Sequence, residues 1–204
     1  RDPMQQVTLG KSKLKVSRLS YGCWRIAGTW QPRKVTAKAR ETGVKAVTAA
    51  FEAGYTLFDL ADIYCDGVAE ELFGLALKQT RSLRKRAVIA TKCGIRAPEN
   101  GDPYRYDFNA RYIIESCEAS LRRMDIDTID LFQLHRPDWL MDPTEVANAL
   151  TKLKKAGKVR HFGVSNFSPS QVAVLQSALK EPLLVNQIEI SLLQLDPFTD
   201  GTLD

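Results

Sequence analysis

Between residues 19 and 188 the chain repeatedly alternates a short apolar run with an amphipathic segment of helical period. This alternation restricts the fold more than any other feature. A strand followed by a crossover helix returns the chain to the same end of the sheet, so the strands pair in parallel. The runs fall at residues 19–22, 56–59, 87–92, 130–134, 161–164 and 183–188. Later runs stop on polar residues: Asp59, then Lys92, His135, Ser165-Asn166 and Asn186-Gln187. When strand ends share one face, such residues can meet although they lie far apart in sequence.

The fold class expected is therefore α/β, a (β/α)8 TIM barrel with roughly its first six βα units in this chain. The alternative, an open doubly wound sheet, would split the polar strand ends around a switch point. A parallel sheet buries both faces, and six strands left open would expose two unpaired edges. Residues 4–204 are thus expected to form a single barrel domain, incomplete at its C-terminus. Arg1-Asp2-Pro3, ahead of Met4, reads as a cloning remnant. Before the repeat, Val7-Thr8-Leu9, a turn at Gly10-Lys11-Ser12 and Leu14-Lys15-Val16 read as a hairpin that would plug the barrel bottom.

Helix signals lie between the strands. The first helix spans about residues 36–53 and ends at Gly54; the second spans 69–79 through Leu72, Leu75 and Ala76. Asn109, Asp142-Pro143 and Ser168-Pro169 read as N-caps, the latter two with proline at the first helical position. Residues 96–108, rich in Gly, Pro and Asp, read as a long loop, a common location for function.

Composition excludes several classes. The net charge of +5 comes from dispersed basic residues. The groups at 81–86 and 152–158 lack the interleaved aromatics of a nucleic-acid groove and read as solvated helix ends. No apolar run approaches the ~20 residues of a membrane helix, and no signal-peptide pattern opens the chain. Four cysteines without CxxC spacing fit a reducing, cytoplasmic compartment.

Asp59, Tyr64, Lys92 and His135 together would make a proton-transfer site. A free tyrosine titrates near pH ~10, and an adjacent ammonium from Lys92 would stabilise its anion. Asp59 would keep a buried Lys92 charged, and His135 would donate to a substrate oxygen. This suits carbonyl reduction, with hydride reaching carbon while Tyr64 protonates oxygen. Each residue also has a purely structural reading: a turn cap, a loop aromatic, a snorkelling lysine, a satisfied core histidine. Cys23, Cys65 and Cys93 with His135 invite a zinc site, but small apolar cysteines are common in cores, and no metal is expected. Cys65, beside Tyr64, is expected to react with thiol reagents and to be protected by cofactor. No GxGxxG supports a Rossmann site; Ser165 and Asn166 instead offer a hydroxyl and an amide suited to a carboxamide. Trp24, Trp30 and Trp139 fall in loops on the strand-end side, where they would either wall an apolar substrate mouth or only cover the barrel top.

With these residues in view, the chain resembles the aldo-keto reductase superfamily and, within it, a branch of bacterial oxidoreductases. The matching segments are Phe58-Asp59-Leu60-Ala61-Asp62-Ile63-Tyr64, Glu70-Glu71-Leu72-Phe73-Gly74, Ala90-Thr91-Lys92-Cys93-Gly94, Asp130-Leu131-Phe132-Gln133-Leu134-His135-Arg136-Pro137-Asp138, Gly157-Lys158-Val159-Arg160-His161-Phe162-Gly163-Val164-Ser165-Asn166-Phe167 and Asn186-Gln187-Ile188-Glu189. The resemblance implies an NADPH-dependent reductase of small-molecule aldehydes or ketones, with Asp59, Tyr64, Lys92 and His135 as the catalytic set. It implies that Ser165, Asn166 and Gln187 hold the nicotinamide carboxamide; Gly22, Cys23 and Trp24, at the first strand's end, complete the cofactor-binding candidates. Leu60 stands where many members have Thr. The family's seventh and eighth units, which carry the nicotinamide-stacking aromatic and the loop for the 2′-phosphate, are absent from this sequence. A second class stays open: a non-catalytic, cofactor-sensing or partner-binding barrel similar to potassium-channel β subunits.

Overall fold

The computed structural model describes residues 4–99 and 101–203; the reading of residues 1–3 lies outside them. The chain opens on an antiparallel hairpin, β1 (Gln6–Thr8) and β2 (Lys15–Ser17). Six parallel strands then pair in chain order: β3 (Ser20–Gly22), β4 (Leu57–Asp59), β5 (Val88–Cys93), β8 (Ile129–Leu134), β9 (Val159–Ser165) and β10 (Leu183–Gln187). Among the described residues the order never reverses, so the sheet has no doubly wound switch point. The sheet curls into a half-barrel, and an amide of β10 comes within 3.5 Å of a carboxylate of β4 across the opening (Gln187 Nε2 to Asp59 Oδ2). Every residue of β5 and β8 is buried, as expected of strands packed on both faces.

The hairpin lies at the bottom. Ser17 N–H donates to Thr56 Oγ1 at 2.8 Å and Thr56 N–H donates to Ser17 Oγ at 2.9 Å, clamping β2 to the start of β4. At the other side of the arc, a Cβ on Gly10 would come within 2.5 Å of the Leu184 carbonyl. Leu9, between these anchors, lines the lower end of an inner cavity of about 200 Å³ with Leu57, Leu131 and Val185. Asp59, Gln133 and Gln187 line the same cavity.

The outer helices are α1 (Ala37–Glu52), α2 (Val68–Gln79), α4 (Ala110–Met124), α5 (Pro143–Lys155) and α6 (Pro169–Ala178). Their caps form where local chemistry demands. Asn109 accepts from Tyr112 N–H, Asp142 from Thr144 and Glu145 N–H, and Ser168 closes a capping box with Gln171. Gly54 ends α1 at φ 99°, where a side chain would be strained.

Three local expectations change. Residues 81–86 form a separate short helix, α3 (Arg81–Arg86), because buried Leu83 pins the segment to the core after Thr80 breaks α2. Leu75 is 40% exposed, and Phe73 takes the core position. The loop at 96–108 is partly ordered by a ribbon of β6 (Ile95–Arg96) and β7 (Arg105–Tyr106), closed by an Arg96–Asp107 ion pair at 2.9 Å. Among the described residues no helix is long and apolar enough to cross a membrane.

Candidate active site

The strand ends converge on one rim, and Lys92 is its hub. The side chain is 2% exposed, and Nζ donates to Asp59 Oδ1 at 2.6 Å, the Leu60 carbonyl at 2.9 Å and Tyr64 OH at 3.2 Å. These three partners exhaust the ammonium's three protons. A buried ammonium without a counter-charge would cost several kcal/mol, and Asp59, the last residue of β4, supplies it. Tyr64 reaches the site through a tight loop rather than a strand. Leu60 N–H donates to Ala90 O at 2.8 Å and Asp62 N–H to Lys92 O at 3.0 Å, so the chain runs on beside β5. Cys65, Asp66 and Gly67 then turn it into α2, all with positive φ.

Burial raises the Tyr64 phenol above its ordinary value, and the Lys92 ammonium and hydrogen bond offset this only in part. The phenol therefore keeps its proton at neutral pH, with the Lys92 ammonium 3.2 Å from its oxygen. The expected help of the Lys92 ammonium to the Tyr64 anion is present, but desolvation, which that expectation left out, is the larger effect here.

His135 follows β8, its N–H donating to Cys93 O at 2.8 Å. Its ring lies edge-on to Tyr64, centroids 5.8 Å apart. Burial, with the charges of Lys92 and Arg136, lowers its pKa to about 3, so the imidazole is neutral. Its Nδ1 is buried without a protein partner.

A polar row continues from Asp59 across the rim. Gln187 Nε2 faces Asp59 Oδ2 at 3.5 Å, and Gln187 Oε1 accepts from Gln133 Nε2 at 3.3 Å. Ser165 Oγ donates to Gln187 O at 2.9 Å and accepts from Asn166 Nδ2 at 2.9 Å; the latter also donates to His135 O at 3.4 Å. Asn166 has φ 61°, a conformation Asn tolerates better than most residues. Ser165 is 3% exposed and braces this group from behind, whereas the Gln187 side is open. Gly22 stands opposite Asp59 in the β3–β4 register, and Cys23 N–H donates to Asp59 O at 2.8 Å. The Cys23 side chain is fully buried, its thiol raised in pKa chiefly by burial. Trp24 is half-exposed and packs 5.8 Å from Trp30, which lies 6.2 Å from the Tyr64 ring. Trp139 is 82% exposed and lines a separate cleft with Arg136, Asn166 and Phe167.

Cys65 does not fit the expectation of a reactive thiol. It is fully buried, and burial raises its pKa, so both reagent access and thiolate formation are disfavoured. Its side chain turns into the core because the left-handed turn at 65–67 reverses the chain. Cys93 and Cys117 are buried as well, and among the described residues no group of three or more His, Cys, Asp or Glu is arranged to hold a metal.

Sequence reasoning gave no role to two groups. Gln133, inside an apolar run, is 2% exposed and joins β8 to β9 and β10; a lone amide in a buried strand was the available signal. Asp62 and Glu70 are buried acids behind the rim. Glu70 meets Arg123 at 2.6 Å and Thr91 Oγ1 at 2.5 Å.

Comparison with known proteins agrees with this architecture. Residues 18–200 match the family model of the Aldo/keto reductase family. The chain is 43% identical over 206 residues to a 6-dehydroglucose reductase of Agrobacterium fabrum, and 42% identical over 203 residues to oxidoreductase YdhF of Escherichia coli. Each alignment covers 98% of this chain but 66% of the relative, so the chain spans just under two thirds of their length. Among solved structures, the thermostable aldo-keto reductase Tm1743 in complex with the inhibitor epalrestat superimposes with a TM-score of 0.84 at 28% identity, covering 98% of this chain and 68% of that one. The holo form of aldo-keto reductase AKR11C1 from Bacillus halodurans gives 0.82 at 28% identity, covering 98% and 62%. The half-barrel with its polar rim thus belongs to the aldo/keto reductase family.

Proposed function

We propose that this chain carries the proton-transfer face of a carbonyl reductase, with Tyr64 as proton donor and NADPH as cofactor. The observation that carries the reading is the buried Lys92, bonded at once to Asp59 at 2.6 Å and to Tyr64 OH at 3.2 Å. A structural lysine would snorkel to water; this one is held dry against a phenol. Tyr64 keeps its proton until negative charge develops on a substrate oxygen, then releases it, and Lys92 holds the phenolate until solvent restores the proton. Asp59 keeps the ammonium charged throughout. His135, being neutral, offers one ring N–H to orient the carbonyl oxygen without adding a second cation.

The chemistry of the rim suits a nicotinamide. A carboxamide needs both a donor and an acceptor. Gln187 Nε2 keeps a proton beyond the one facing Asp59. Asn166, its two amide protons given to Ser165 Oγ and the His135 carbonyl, offers its Oδ1 as acceptor, with Ser165 bracing them. Gly22, Cys23 and Trp24 would border the same face. When bound, the reduced nicotinamide supplies the hydride that reaches the carbonyl carbon. NADPH, rather than NADH, is carried by the family resemblance.

A relative named 6-dehydroglucose reductase makes a polyhydroxylated aldehyde the first substrate to try. In the full-length protein, NADPH consumption with such an aldehyde is expected, and Tyr64→Phe should lower kcat by ~10²–10⁴-fold while leaving cofactor affinity unchanged. Turnover that survives Tyr64→Phe would remove Tyr64 as the donor. Tight cofactor binding by the wild type with no turnover on any aldehyde or ketone would return the cofactor-sensing reading.

A further inference from the structure

Asp62 is a buried acid that the proposed reaction does not use. It follows Asp59 by three residues and precedes Tyr64 by two, within the loop that carries the phenol. Its own N–H donates to the Lys92 carbonyl at 3.0 Å. Its Oδ2 accepts from Ser116 Oγ at 2.7 Å and from Tyr112 OH at 3.2 Å, both on α4. Its Oδ1 is buried without a hydrogen-bond partner among the described residues. Leu60, Ala61 and Ile63 have no polar side-chain atoms, so among residues 60–63 only Asp62 can fasten the loop outward by a side-chain hydrogen bond. The loop is thus tied by its backbone to the strand bearing Lys92, and by one carboxyl to a helix behind it.

We propose that Asp62 is a positioning residue for the reaction: held by Tyr112 and Ser116, its carboxyl fixes the loop so that Tyr64 OH stays within reach of Lys92 Nζ. This rests on Tyr64 being the proton donor. The groups facing the carboxyl are Tyr112, Ser116 and Arg123 of α4, Glu70 of α2 and Cys93 of β5, with Arg96 of β6 stacked 5.2 Å from the Tyr112 ring. Arg123 is committed to Glu70 at 2.6 Å and Arg96 to Asp107 at 2.9 Å, so neither cation pairs with Asp62. Burial raises the pKa to about 7, the dry surround outweighing the two hydroxyl donors, which favour the carboxylate. Ionised in place, the group would be a buried anion without a paired cation, a costly state.

The test compares Asp62→Ala with Asp62→Asn in the full-length protein. Asn keeps an acceptor for both hydroxyls and has no charge at any pH. Asp62→Ala should lower kcat by ~10²-fold, the size of effect a misplacement of about 1 Å produces, with cofactor affinity little changed. Asp62→Asn should restore most of kcat below pH ~7 and remove any alkaline decline that begins there. If Asp62→Ala fails to fold, the double variant Tyr112→Phe with Ser116→Ala decides, since it frees the carboxyl from α4 and should reproduce the fall in kcat. Wild-type kcat in Asp62→Ala, or in the double variant, overturns the proposal, as does an Asp62→Asn enzyme as defective as Asp62→Ala at every pH. An inactive Tyr64→Phe beside a fully active Asp62→Ala would reject this inference alone; an active Tyr64→Phe would reject the donor assignment beneath it.

Discussion

Asp59, the last residue of β4, and Asp62, in the loop that follows, are acids three residues apart, yet they sit in opposite surroundings. Asp59 faces the inside of the barrel and meets an ammonium at 2.6 Å. Asp62 faces outward, between β5 and α4, and meets only hydroxyls. The first belongs to a charged pair whose partner touches the phenol; the second lies in a dry pocket that favours a proton. Residue type is identical, so the difference comes from what the neighbouring elements bring: β5 contributes Lys92 to the inside, and α4 contributes Tyr112 and Ser116 to the outside. Environment dividing two like acids into two roles is a general pattern of catalytic sites.

The most severe way to break the comparison is to remove the cation. Lys92→Met should lower kcat by ~10²–10⁴-fold, because the phenolate loses its stabilising charge. It should also destabilise the fold by about 3 kcal/mol, since Asp59 is left partly buried and unpaired. Steady-state turnover and denaturant unfolding measure the two effects. A Met variant with wild-type turnover would make the Lys92 contacts purely architectural.

Next is the response of stability to pH at Asp62. Its folded pKa of about 7 lies above the unfolded value of ~3.9. Its contribution is thus fully present below pH ~4 and is lost as pH rises through 7, at up to ~1.4 kcal/mol per unit. Asp62→Asn has no proton to lose. Its unfolding free energy, measured from pH 4 to 8, should fall less than that of the wild type and exceed it at the alkaline end. Parallel curves for the two proteins would place Asp62 in a wetter site than the structure gives it.

The smallest effect sharpens the comparison from the histidine side. With a pKa lowered to about 3, His135 stays neutral wherever the enzyme is assayed. The kcat/KM profile should therefore show no acidic limb near pH ~6.5, where an unperturbed imidazole would gain its proton. A limb there that vanishes in His135→Gln would mean that the ring charges in the free enzyme.

Much of the fold was legible because its signals are local. Caps at Asn109, Asp142 and Ser168 act within one helical turn, and the apolar runs mark strands whatever surrounds them. The misjudged parts depended on partners distant in sequence. Leu75 has the same apolar character as Leu72, and only the angle at which α2 meets the sheet decides which is buried. Leu83 turns a basic stretch into a separate helix because a core lies beneath it. Cys65 looked accessible beside Tyr64 until the left-handed turn directed its thiol inward.

The candidate site divides along the same line. Asp59, Lys92, His135, Ser165 and Gln187 could be picked out because strand ends in a parallel barrel share a rim, a consequence of topology that periodicity already reveals. Gln133 and Asp62 were on the page too, but a polar residue in a buried strand or loop does not name its partner. Asp62 gained its partners only when α4 packed against β5 and brought Tyr112 and Ser116, more than forty residues away in sequence.

The order of strands and helices, the helix caps and the residue types on the rim were determined by sequence alone, since each depends on neighbours within a few positions. The charge states of those residues were decided by tertiary structure. Burial lowers His135 and raises Tyr64 and Asp62, and the cost of desolvating a charge depends on which elements close over it.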